Sequence, residues 1–235
     1  MELAANLRVI VALCKGGSTA LIHSLSHAPG VTCYLQTVKS GQRMHGTPDY
    51  GVYYARHDGV VLSKETIGHS TEPDCSLRVF PSDAAIRAVS PVFLFRDPLD
   101  TRAAWARAGW GSQGRFLQAY GHALDLYEHA RRVAPATAAV RYEAFGEDAE
   151  AAFRRLCGLL GIAFTPDMLR WRWRFPDQSP VIWREDVQAD FDRGQADSAR
   201  AAGGFAYRRT GFRLPPEEAR EIERRFRDRY EALPV

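Results

Sequence analysis

One stretch constrains the fold more than any other: Val9–Leu25, VIVALCKGGSTALIHSL. Val9–Cys14 is apolar on both faces and rich in β-branched residues, as a central strand of a parallel sheet must be. A tight loop follows, Lys15-Gly16-Gly17-Ser18-Thr19, and a helix is expected to open at Ala20. The two glycines let the backbone turn sharply and approach a ligand with no Cβ in the way. Ser18 and Thr19 put hydroxyls and free N–H groups at a helix N-terminus, where the dipole favours an anion. Lys15 adds a mobile positive charge at the mouth. The stretch reads as a phosphate- or sulfate-binding loop; taken alone, a glycine-rich turn with no ligand is the alternative. It is not the Walker pattern GxxxxGK[ST], because the lysine precedes the glycines and no GK[ST] occurs.

A second stretch, Val92–Arg107 (VFLFRDPLDTRAAWAR), again runs strand, polar turn, helix. Arg96 falls at the carboxyl end of the apolar strand Val92–Phe95, where open α/β sheets place their ligands. Pro98 sits at a favourable early helical position. An arginine after a strand commonly caps or faces solvent. In the same chain as an anion loop it is the better candidate for a second phosphate, since its planar fork binds two oxygens at once.

CKGGSTALI and FLFRDPLDTRAAW together resemble the two cofactor signatures of the sulfotransferases that use 3′-phosphoadenosine 5′-phosphosulfate (PAPS). In that family the first loop holds the 5′-phosphosulfate and the second, RxPxDxxxS, holds the 3′-phosphate. A third block, Val140–Phe164 (VRYEAFGEDAEAAFRRLCGLLGIAF), is similar to the family's RYE…LRRLC segment. The three lie in family order and span most of the chain. The resemblance implies that Lys15, Gly16, Gly17, Ser18, Thr19 and Ala20 hold the 5′ end, that Lys15 neutralises the departing phosphate, and that Arg96 anchors the 3′-phosphate. It also implies two departures. The family's serine is Ala104 here, so that contact is missing or Thr101 or Arg102 replaces it. The C-terminal Arg-Lys-Gly segment has only RAAGGFAYRRT as a counterpart, with Arg200, Arg208 or Arg209 as candidates.

For the base that activates the acceptor, the family's Lys-Thr-His triplet is matched loosely by Lys64-Glu65-Thr66-Ile67-Gly68-His69. His69 ranks first, then Glu65, then His45, each set against a solvated polar role; Lys64 is read as a further sulfonate contact. Sulfuryl transfer needs no metal, and no carboxylate cluster suggests one, in contrast to a kinase. A P-loop-type nucleotide kinase and a non-catalytic nucleotide-binding member of the same fold are the alternatives.

The expected architecture is α/β, a mainly parallel central sheet flanked by helices with a P-loop-like strand-loop-helix, as one domain over residues 1–235. Leu7–Cys14, Val31–Leu35, Val92–Phe95 and Ala138–Tyr142 read as strands. Ala20–His27, Ser112–Val133, Asp148–Leu160 and Pro216–Leu233 read as helices, and Gln36–Asp58 as a loop over the active face. Met168–Asp192, with Trp171, Trp173 and Trp183, reads equally as a lid, a homodimer contact or packing. A net charge of +3 suits an anionic cofactor but is too diffuse for nucleic acid. Cys14, Cys33, Cys75 and Cys157 are scattered, which argues against a disulfide scaffold or a zinc site. No signal peptide or membrane-span pattern is found, so the expected home is the cytoplasm, and the abundance of Ala and Arg points to a bacterial source. The expected partner is a small-molecule acceptor.

Overall fold

Strand β1 (Leu7–Leu13) is the axis of the fold, and its place in the sheet follows from its composition. It pairs in parallel with β3 (Val60–Ile67) on one side and with β4 (Val92–Phe95) on the other. Leu7, Val9, Val11 and Leu13 join a core cluster on one face of the sheet, and Ile10 and Ala12 join a second cluster on the other. A strand buried on both sides has no room for the polar alternation of an exposed sheet. With β2 (Val31–Leu35) and β5 (Ala138–Arg141) at the edges, the order is β2-β3-β1-β4-β5, all parallel. The computed structural model describes residues 2–56, 58–69, 71–172, 180–182, 204–207, 209 and 211–234.

Several elements stand where the residue pattern puts them. Helix α1 (Ser18–Leu25) follows the loop, but opens two residues earlier than expected and ends two earlier. β2 and β4 have the expected bounds. Further along come α5 (Pro98–Arg107), α6 (Gln113–Val133), α8 (Ala149–Leu160) and the last described helix, α9 (Pro216–Glu231). Each begins on a local signal: Asp97, Ser112 and Asp148 accept N–H bonds in the first turns of α5, α6 and α8. The remaining helices are α2 (Thr37–His45), α3 (Glu72–Cys75), α4 (Asp83–Val89) and α7 (Ala144–Glu147).

Two expectations are corrected. The segment Gln36–Asp58 is not a loop: it holds α2 and a 3-10 turn at Gly51–Tyr53. Residue Gln36, before α2, takes a left-handed conformation and supplies no side-chain cap. The cap comes from β3 instead, where Glu65 accepts from the N–H groups of Val38 and Lys39 at 3.1 and 3.2 Å. Second, β3 runs on through Ser63, Lys64, Glu65 and Thr66, all four buried, so Glu65 does not take the solvated role set against it.

Helix α9 closes the carboxyl side of β4 and β5. Its Ile222, Phe226 and Tyr230 are buried, with the Phe226 ring 4.9 Å from that of Tyr120 on α6. Arg227 pairs with Asp97 at 2.8 Å, and the Tyr230 hydroxyl donates to Glu143 at 2.5 Å. Glu143 in turn accepts the Asp97 N–H at 3.0 Å. Among the described residues no helix is long and apolar enough to cross a membrane.

Trp105 on α5 is fully buried and donates its indole N–H to the Cys14 carbonyl at 2.8 Å. Trp105→Ala should cost about 3–5 kcal/mol of stability, read as a lower urea midpoint at unchanged slope. A loss under about 1 kcal/mol would mean that the indole does not support the loop.

Candidate active site

Parallel pairing brings the carboxyl ends of β3, β1 and β4 side by side, so the turns that leave them share one rim. In the β1–α1 loop, three successive carbonyls are each taken by a donor. Leu13 O accepts from Gly16 N at 2.9 Å, Cys14 O from the Trp105 indole, and Lys15 O from Arg96 Nη1 at 3.2 Å. Helix α1 has no side-chain cap, and the first N–H groups of a helix lack an intrahelical acceptor. The loop thus fixes its carbonyls on protein donors and leaves amide donors at the α1 N-terminus, a setting for an anion. Gly17 is required for two reasons. Its φ is +86°, and a Cβ there would stand 2.1 Å from the Tyr142 ring.

Lys15 takes a positive φ of 65°, a strained conformation for a residue with a side chain. Its half-buried amine lies 4.3 Å from the centre of the Trp110 ring. Burial pulls its pKa down, and the Arg107 charge adds to this, while Cys14 opposes it. Arg96 is buried at the end of β4, 3.6 Å from Asp100 and with its guanidinium 5.3 Å from the Tyr142 ring centre. Ser18 is buried, and Thr19 and Ala20 are partly exposed. These are the positions assigned to the loop, gathered on one rim.

The other candidates separate. His69 lies just past β3 with φ +151°, its ring 4.2 Å from that of Trp110. It is therefore at the same rim as Lys15. Glu65 is fully buried and held by four donors: Thr37, Val38, Lys39 and Ser63, all at 3.1–3.2 Å. Burial raises its pKa and the hydrogen bonds oppose this. Its oxygens cap the start of α2. His45 is exposed in the last turn of α2, not in a loop. Ala104 is half-buried on α5, and both proposed substitutes have partners within the fold. The Thr101 hydroxyl donates to the Arg96 and Asp97 carbonyls, and Arg102 is paired with Glu218 of α9. Arg209 is exposed and donates to the Tyr207 hydroxyl at 3.3 Å. Arg200 and Arg208 lie outside the described residues, as do Trp173 and Trp183.

Three further residues take part, two of them with no local signal in the residue pattern. Lys39, which reads as solvated, is fully buried; it donates to Cys14 Sγ at 3.3 Å and to the Gly68 carbonyl, and stands 3.9 Å from Asp74. Cys14 itself has its pKa lowered: burial opposes ionisation, but Lys39, Thr66 and Lys64 outweigh it. Trp110 had a visible flag, the flanking Gly109 and Gly111. A cavity of about 360 Å³ is lined by Asp97, Asp100, Arg141, Glu143, Arg209 and Arg227 among others, and its lining includes neither Lys15 nor the loop glycines.

Solved structures share the fold. The mouse sulfotransferase SULT7A1, complexed with PAP, superposes with a TM-score of 0.55 at 14% identity, over 97% of this chain and 84% of that one. The sulfotransferase domain from the curacin biosynthetic pathway gives 0.56 at 12%, over 100% of both chains. The sulfotransferase domain of the Synechococcus PCC 7002 olefin synthase gives 0.51 at 13%, over 95% of both. No family model and no curated protein matches the sequence. The chain has the sulfotransferase fold.

Lys64 supplies a test of the site's electrostatics. It is fully buried, its amine has no hydrogen-bond partner among the described residues, and burial pulls its pKa down to about 8. Between about 8 and the unperturbed 10.5 the unfolded chain carries the proton that the folded chain has released. Stability should therefore rise with pH across that window, by about 3 kcal/mol in all, and the penalty is present in full below it. Lys64→Met should be more stable than wild type near pH 7 and lose this slope, by urea unfolding at about pH 7 and about pH 9.5. Equal slopes in the two proteins would overturn the assignment.

Proposed function

We propose that this chain is a PAPS-dependent sulfotransferase that passes a sulfuryl group to a hydroxyl or amine of a small-molecule acceptor by in-line displacement. The observation that carries the reading is the β1–α1 loop with its three fixed carbonyls and uncapped helix start, set between Lys15 and the buried Arg96. PAPS, when bound, supplies a sulfuryl group already activated on a phosphate. The residues fit its 5′ end: Lys15, the amides of Gly17 to Ala20, and the Ser18 and Thr19 hydroxyls are donors on one rim, while the Gly16 amide closes the loop on the Leu13 carbonyl. At the 3′ end the fit rests on Arg96, with Arg209 as an exposed second cation, because Ala104 offers no hydroxyl, the Thr101 hydroxyl donates to backbone and Arg102 Nε is held by Glu218.

Each residue's part follows from charge. Sulfuryl transfer resembles phosphoryl transfer, where positioning and charge stabilisation carry most of the catalysis. Lys15 neutralises negative charge that grows on the leaving oxygen, and the loop amides hold the sulfonate oxygens without reorganising. Lys64, buried with an unbonded amine, adds positive potential beneath the loop. Arg96 fixes the register of the nucleotide by binding an anion at a set distance from Lys15. His69 is the acceptor's base: it shares the rim with Lys15, and an imidazole nitrogen can accept the acceptor's proton.

Calorimetry with 3′-phosphoadenosine 5′-phosphate (PAP) in the absence of metal, set against ATP with Mg²⁺, tests the reading. Binding of the bisphosphate with indifference to ATP is expected; the reverse preference overturns it. Arg96→Ala should weaken PAP by about 1.5–3 kcal/mol, roughly ten- to a hundredfold. Lys15→Ala should mainly lower turnover of labelled PAPS. Unchanged affinity in Arg96→Ala would remove the second motif from the site.

A further inference from the structure

Lys15 and His69 come from different turns, yet both rest on one side chain. The Trp110 ring centre lies 4.3 Å from the Lys15 amine and 4.2 Å from the His69 ring centre, with the latter two rings inclined at 58°. The loop that presents Trp110 is built to do so. Gly109 and Gly111 on either side take φ values of 68° and 57°, and the Trp110 N–H donates to the Trp105 carbonyl at 3.0 Å. Trp110 is thereby anchored to the helix whose Trp105 holds the Cys14 carbonyl.

The electrostatics of Lys15 explain why a ring stands there. The amine is half-buried and feels the like charge of Arg107. Among the described residues no carboxylate pairs with it, and its backbone is strained at φ 65°. The negative face of an indole is the best aromatic partner for a cation in such a setting. An anionic ligand in the loop competes for the same amine, so the ring and the ligand are alternatives.

We propose that Trp110 is a positioning residue: its indole holds the Lys15 amine when the loop is empty and sets how readily that amine meets an anion, while fixing the His69 ring at the same rim. This rests on the nucleotide reading above. A site whose competent form is only partly populated binds more weakly by that fraction, so releasing the amine from the ring strengthens binding.

A double-mutant cycle reads this directly. PAP affinity is measured by calorimetry in wild type, Trp110→Leu, Lys15→Ala and the double variant. Trp110→Leu should tighten PAP about three- to thirtyfold in the wild-type background, the span of cation–π strengths. It should change affinity less than about twofold in the Lys15→Ala background, because the effect passes through the amine. Trp110→Phe should shift affinity in the same direction by less, and serves if Trp110→Leu fails to fold. Equal effects in both backgrounds, no effect, or weaker binding in the wild-type background for the folded variants would overturn the role. If wild type does not bind PAP at all, it is the nucleotide reading that fails, and the two failures are distinct.

Discussion

A strand that must bury both faces decides the rest of this structure. β1 can lie only inside a parallel sheet with helices on either side, and once β3 and β4 flank it their carboxyl ends fall in line with its own. Three turns then meet at one rim: Lys15 to Gly17 from β1, Gly68-His69 from β3 and Arg96 from β4. The chemistry of the site is assembled by backbone pairing before any side chain makes a choice. Side chains then lock the result. Trp105 takes the Cys14 carbonyl, Arg96 takes the Lys15 carbonyl, and the Tyr142 ring occupies the space that a side chain at position 17 would need.

Much of this frame is legible in the residues because its causes are local. The unbroken apolar runs of β1 and β4, the caps Ser112 and Asp148, and Gly161 at the end of α8 each act within a few positions of themselves. The same holds for the loop, whose glycines and hydroxyls mark it without reference to the fold. What stays hidden is set from a distance. α2 has no local start signal, because its cap is a carboxylate on β3 and the residue before it, Gln36, is left-handed. Lys39 looks like a solvated residue until α2 forms and turns it inward against Cys14 and Gly68. Thr101 and Arg102 look free to replace a missing serine, but one hydroxyl closes its own helical turn and one guanidinium meets Glu218, a residue 116 positions away.

The buried charges show a division of labour. Glu65 is surrounded by donors and acts on backbone geometry, whereas Lys64, next to it in sequence, points to the opposite face of the strand and keeps an unbonded amine. Burying an ammonium is costly, and here the cost shows as a lowered pKa, partly offset by the charges of Cys14 and Glu65.

Helix α9 gives the chain a history as well as a shape. It braces the turn after β4 through Arg227 and Asp97, and it braces Glu143 through Tyr230. About 130 residues separate Arg96 from Tyr230, so at translation rates of about 5–20 residues per second the ribosome needs on the order of ten seconds to join them. During that interval the nascent chain carries its glycine loop and its sheet, yet holds Arg96 on an unbraced turn. The turn that carries Arg96 is therefore completed last, by residues that leave the ribosome at the end of the chain described here.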